Sequence, residues 1–130
     1  MTTKMKNKNI RTPEHVEQVV LFEWARLQAA KYPMLKTMFA IPNGGKRGSA
    51  SAAKLKAEGV KAGVCDIFLP YAASGCYGLF IEMKRIDGGR VSDKQKIFIN
   101  DVRAAGYAAK VCKGFDDARE IILKYITNRL

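Results

Sequence analysis

Asp66, Glu82 and Lys84 are the residues of this chain whose types and spacing suit hydrolytic chemistry. They bracket the stretch 64–84. It runs from Val64-Cys65-Asp66-Ile67-Phe68-Leu69-Pro70 through a small-residue turn at Ala72-Ala73-Ser74-Gly75 to Tyr77-Gly78-Leu79-Phe80-Ile81-Glu82-Met83-Lys84. Two short apolar runs bounded by turn residues predict a β-hairpin. With an antiparallel turn centred near Ser74, Asp66 stands opposite Glu82. Side chains alternate along a strand and opposed residues share a face, so Asp66, Glu82 and Lys84 point one way. Leu79, Ile81 and Met83 point the other way, into a core.

Two opposed carboxylates at the edge of a core repel each other and are partly desolvated. A divalent cation, magnesium or manganese, removes that conflict. Two carboxylates, waters and a substrate phosphate oxygen make a typical magnesium site. The metal would lower the pKa of a bound water, and Lys84 could orient that water or help deprotonate it. The ordinary alternative is an Asp–Lys–Glu ion-pair cluster on a solvated sheet face.

The elements that must position these groups follow in chain order. Residues 1–11 read as a basic disordered arm and 12–130 as a single domain, long enough for one real core. Thr12-Pro13-Glu14 starts a first helix, running to about Lys31, with Val16, Val19, Val20, Trp24 and Leu27 as its inner stripe. Glu17 borders that buried face. A short strand, Met38-Phe39-Ala40-Ile41, ends at Pro42. The loop Asn43-Gly44-Gly45-Lys46-Arg47-Gly48 lacks P-loop spacing, so no nucleotide cofactor is expected. It is either a plain turn or a substrate-phosphate loop. A short helix from Ser49 or Ser51 to Gly59 carries Lys54 and Lys56. After the hairpin and the Arg85–Arg90 loop, Ser92-Asp93-Lys94-Gln95 fits a capping box. The helix it opens has Ile97, Phe98 and Val102 inside and Gly106 at its end. Tyr107–Cys112 is a strand, so a right-handed parallel crossover is expected. Asp116-Asp117 opens a last helix with Ala118, Ile121, Ile122 and Tyr125 inside, and those acids are first-turn dipole partners.

The net charge of +11 points to polyanions. No basic amphipathic helix with an open apolar face stands out, so nucleic acid is a better partner than a membrane surface. Lys46, Arg47, Lys54, Lys56 and Arg85 are the candidate phosphate contacts. No secretion signal or membrane span is visible. Cys65, Cys76 and Cys112 form no zinc or disulfide pattern and read as small buried hydrophobes in a reducing compartment, the cytoplasm (that of a bacterial host, if the chain is phage-derived). His15, the one histidine, sits in a first helical turn without a partner motif, which argues against histidine-dependent catalysis.

Asp66, about fifteen further residues and then Glu82-Met83-Lys84 resemble the PD-(D/E)XK nuclease signature. Glu17-Gln18, Ile41-Pro42-Asn43-Gly44-Gly45, Gly59, Gly63, Phe80-Ile81, Ser92-Asp93-Lys94-Gln95 and Gly106-Tyr107, in that order, narrow this to a resemblance to the VRR-NUC domain, from about Glu14 to Ile126. Cys65 stands where that family usually has Pro, a position that shapes backbone and ligates nothing. The resemblance implies an α/β, restriction-endonuclease-like core: a small mixed sheet flanked by helices. It implies metal-dependent hydrolysis of DNA, with Asp66, Glu82 and the Met83 carbonyl as metal ligands. Glu17 would be a direct or water-mediated carboxylate, with Gln18 a weaker neighbour. Gln95 would face the site, cap its helix, or both. It further implies a homodimer acting on four-way junctions or other branched DNA, since two symmetric cuts need two sites. A non-catalytic basic nucleic-acid-binding protein, or a related nuclease for flaps, ends or RNA, is the alternative.

Overall fold

A computed structural model describes residues 13–42 and 49–130. The basic arm 1–11, Thr12, Lys46 and Arg47 lie outside the described residues. The elements in order are α1 (Glu14–Gln28), a 3₁₀ turn (Pro33–Thr37), β1 (Phe39–Ala40), α2 (Ser49–Ala57), β2 (Ile67–Leu69), β3 (Leu79–Lys84), α3 (Asp93–Ala104), β4 (Ala108–Lys113) and α4 (Gly114–Ile126).

The sheet order is β1-β2-β3-β4. β1 and β2, and β2 and β3, pair antiparallel, and β3 and β4 pair parallel. The fold is therefore the expected mixed α/β sheet. Ile67 pairs with Ile81 and Leu69 with Leu79, which puts Asp66 level with Glu82. The turn itself centres between Ser74 and Gly75, whose positive φ values of 50° and 72° mark a primed hairpin turn. Ala73 pairs with Cys76. Pro70, Tyr71 and Ala72 on the outgoing arm therefore face only Tyr77 and Gly78, and this extra residue shifts the register. The hairpin tip is tied down by Tyr125, whose hydroxyl accepts from Ala73 N at 3.2 Å and donates to the Tyr71 carbonyl at 2.7 Å.

One sheet face carries Ile67, Leu69, Leu79, Ile81 and Met83, packed with Leu21 and Ala25 of α1 and Ala118, Ile122 and Tyr125 of α4. The other carries Phe80, Ala109 and Val111 against Phe98, Ile99 and Val102 of α3, with Cys65. Two helix faces differ from the sequence expectation. In α1 the buried residues are Glu17, Leu21 and Ala25. Val16, Val19, Val20 and Leu27 are exposed, Leu27 at 80%, and Trp24 is half-buried. Apolar residues lie nearly all round this helix, so periodicity alone did not pick the inner side. In α3, Ile97 is exposed and Ile99 is buried in its place. Ile99 lies one turn beyond Gln95, on the side that meets the sheet. α1 also begins one position later than expected, with Pro13 as its cap residue, and ends at Gln28, short of Lys31.

Gly59 and Gly106, both at φ +99°, end α2 and α3 as expected. Val60 N reaches back to Leu55 O and Tyr107 N to Val102 O, the backbone pairing of a Schellman stop. α2 lies almost wholly in solvent, with only Leu55 half-buried among the side chains described. Among the described residues, no helix is long and apolar enough to cross a membrane.

Candidate active site

Lys84 and Lys113 pair at the carboxyl ends of parallel β3 and β4. Ligand sites in open α/β sheets form beyond such strand ends. Here the hairpin delivers Asp66 and Glu82, and α3 delivers Gln95. Asp66 Oδ2 accepts from Met83 N at 2.8 Å, which fixes the aspartate against the next strand. Lys84 Nζ lies 3.4 Å from Glu82 Oε2. Gln95 Nε2 donates to the same Glu82 oxygen at 2.8 Å, and Gln95 Oε1 accepts from Lys84 Nζ at 3.2 Å.

Gln95 is both cap and site residue. Its Oε1 also accepts from Ser92 N at 2.8 Å, while Ser92 Oγ accepts from Gln95 N at 3.2 Å. The capping box is thus complete. An amide has an acceptor end and a donor end, so one side chain satisfies the helix start and Lys84 with its oxygen and Glu82 with its nitrogen. Ser92 thereby positions the site through Gln95. The S-x-x-Q spacing was the signal, but it gave no view of the carboxylate beyond. The loop after β3 closes on the lysine: a Cβ on Gly89 would come 3.0 Å from Lys84 Cδ, so a larger residue there would press on the lysine side chain.

Glu82 is 2% exposed and Lys84 8%. Glu82 Oε1 is buried without a hydrogen-bond partner. Burial, and after it the negative charge of Asp66, pushes the Glu82 carboxyl up to about 7, against a lowering by Lys84. An orphaned carboxylate oxygen beside a second carboxylate has the chemistry of a hard-cation site, and a two-carboxylate set completed by water suits magnesium. Among the described residues, no three His, Cys, Asp or Glu side chains gather as a cation cage.

Glu17 stands apart from the pair. It is buried, and its Oε1 accepts from Phe115 N at 2.7 Å, in the first turn of α4. It caps that helix with a charge of favourable sign. A Cβ on Gly114, at φ +83°, would come 3.1 Å from this oxygen and 2.5 Å from Ile86 Cγ1, so glycine is what lets the carboxylate approach. Gln18, its neighbour, is half-buried. Asp117 also serves that helix start, accepting from Lys113 N, and Asp116 pairs with Arg119. Met83 puts its side chain in the core, 1% exposed.

Cys65 and Cys112 are buried, and burial raises both thiols to about 12, which leaves them inert. His15 is exposed. Of the candidate phosphate contacts, Lys54 and Lys56 are exposed on α2, and Arg85 is exposed beside the site, 3.6 Å from Asp87.

A family model described as the VRR-NUC domain matches residues 12–116. The chain belongs to the VRR-NUC family. A solved structure described as a VRR_NUC domain protein is 31% identical, with a TM-score of 0.80 over 92% of each chain. The comparison with curated proteins gives no match. This VRR-NUC chain is therefore a nuclease-type domain, and Asp66, Glu82, Lys84 and Gln95 form its polar cluster at the sheet's carboxyl end.

Proposed function

We propose that this protein is a magnesium- or manganese-dependent endonuclease that hydrolyses phosphodiester bonds in branched DNA, four-way junctions foremost, as a homodimer. The observation that carries the reading is the buried, unpartnered Glu82 Oε1, in a carboxyl pushed up by burial and by Asp66. Leaving a buried carboxylate oxygen unmatched is costly, and a cation shared by Asp66 and Glu82 would remove that cost. When bound between Asp66 and Glu82, the metal would supply charge neutralisation and an activated water.

The chain's own residues do the rest. Asp66 and Glu82 hold the cation-binding oxygens in place. Asp66 is fixed by Met83 N and Glu82 by Gln95. Lys84 keeps its ammonium at the site through Glu82 and Gln95, where it orients the attacking water and stabilises charge developing on the phosphoryl group. Glu17 holds the α4 N-terminus through Oε1, and its second oxygen serves the site directly or through water. The Met83 carbonyl remains the third protein ligand in this proposal. Lys54, Lys56 and Arg85, with Lys46 and Arg47, contact phosphates and set orientation.

The homodimer reading draws support from α1. Val16, Val19, Val20 and Leu27 leave an apolar stripe open on a chain of charge +11. A second copy would cover that stripe and bring a second active site, matching the two-fold symmetry of a four-way junction. The test is cleavage of a panel of four-way, flapped and linear DNAs, with magnesium and with chelator. Paired nicks near the branch, absent in chelator, are expected. Equal cleavage in chelator would end the metal mechanism, and equal rates on linear duplex would end the branch preference.

A further inference from the structure

Three phenylalanines lie in a row across the strands, on the sheet face that also carries Glu82. Phe39 pairs with Phe68, and Phe68 with Phe80. Directly paired residues share a face, and Phe80 and Glu82, two apart on β3, share it too. Asp66 joins them by the same alternation from Phe68. Ring centroids are 5.9 Å apart for Phe39 and Phe68, edge to face, and 4.4 Å apart for Phe68 and Phe80, stacked.

This row is not the main core. The opposite face of the same strands holds Ile67, Leu69, Leu79 and Ile81, all at 0% exposure. At one end of the row, Phe98 of α3 covers Phe80 at 5.2 Å. At the other end, Phe39 is 48% exposed. The middle ring is held in place from the side: a Cβ on Gly78 would come 2.9 Å from the Phe68 ring, so the ring lies directly on that backbone. An exposed ring is thus backed by a fixed ring, next to the carboxylates.

We propose that Phe39, backed by Phe68, is a stacking platform for an unstacked nucleobase of the DNA near the scissile phosphate. This rests on the nuclease reading above. The Phe68–Phe80 pair lies two residues along the strands from the Asp66–Glu82 level, about 7 Å at ~3.3 Å per residue. A DNA strand advances about 3.4 Å per nucleotide in stacked duplex. Phe39 lies one further strand out, ~4.8 Å across from Phe68, so it stands roughly 8 Å from Asp66 and roughly 12 Å from Glu82, and a base about two to four nucleotides from the cut falls over its ring. A base inside a duplex offers only its edges, whereas one at a branch, end or gap offers its π face. Stacking is indifferent to base identity. The platform selects distorted DNA by shape, without reading sequence.

The experiment uses the full chain in chelator, where binding is read without cleavage. A four-way junction and a linear duplex of the same sequence carry 2-aminopurine at each nucleotide flanking the branch in turn. With wild type, fluorescence should change at one of these positions in the junction and at none in the duplex. Phe39→Leu keeps the apolar bulk but not the flat ring. It should abolish that change and weaken junction binding between about fivefold and a hundredfold, with duplex binding changed less than twofold. In wild-type protein, 5-iodouracil at the responding nucleotide should photo-crosslink to Phe39, an outcome that needs no variant to fold. Crosslinks that avoid Phe39, or a Phe39→Leu signal equal to wild type, would overturn the proposal. So would a change in the variant's oligomeric size, which would mean that a second copy covers Phe39. Magnesium-dependent cleavage by wild type is a separate arm. Stacking without cleavage would sink the nuclease reading alone, and cleavage without Phe39-dependent stacking would sink the platform alone.

Discussion

Glu82 is the residue on which the proposed chemistry turns, and its environment makes a measurable claim about the protein in chelator. Its folded carboxyl sits near 7, against an ordinary value of 4.5. A carboxyl raised on folding binds its proton more tightly in the native state. The stability it contributes is fully present below about pH 4.5 and is lost as the pH rises through 7. Metal-free protein in chelator should therefore lose roughly 1–3 kcal/mol across that window, read as a falling thermal midpoint. Glu82→Gln should flatten the loss, and magnesium at pH 8 should restore stability to the wild type but not to the variant. A wild-type midpoint that does not change between pH 4.5 and 8 would contradict this. At this scale the sequence was readable where one residue does one job. Asp66, Glu82 and Lys84 could be placed together because strand alternation is local. Gln95 looked like a choice between cap and site, because spacing shows the near end of an amide and hides what its far end meets. Glu17 was read as bordering the buried face, yet its partner, Phe115 N, is 98 positions away and carries no side-chain signal.

Among the elements, the β2–β3 hairpin was legible because turn residues punctuate it, and the expected level of Asp66 and Glu82 is the observed one. The means differ: an extra residue before the tip compensates for a turn centred half a step later than Ser74. The parallel β3–α3–β4 unit was legible from its caps and Gly106. α1 was not, since its apolar residues surround it and tertiary packing chooses Leu21 and Ala25 over the valines. That error has a consequence at the element scale. Leu21→Ala, at 0% exposure, should cost about 2–5 kcal/mol in stability. Leu27→Glu, at 80% exposure, should leave monomer stability within about 0.5 kcal/mol while converting the proposed dimer to the 14.4 kDa chain. Denaturant unfolding and sedimentation at micromolar concentration check the pair. A Leu27→Glu protein that sediments as wild type would move the interface away from α1.

For the whole molecule, the charge of +11 and the sheet-end site assign different tasks to different parts. α2 carries Lys54 and Lys56 on a helix that gives almost nothing to the core. Substituting both with Ala should leave folding intact, weaken DNA binding, and lower the slope of log affinity against log salt by about 1 to 2. An unchanged slope in a binding titration from 50 to 200 mM salt would take α2 out of the interface. The claim that binds these scales together is that Asp66, Glu82 and Lys84 perform chemistry on DNA that the basic surface merely holds. The most direct measurement is a parallel titration and single-turnover cleavage of a four-way junction in magnesium by wild type and Glu82→Gln. The variant should bind as tightly as wild type, or more tightly, since a negative charge near phosphate is gone, and its cleavage rate should fall at least about a hundredfold. Cleavage by Glu82→Gln at the wild-type rate would contradict the account.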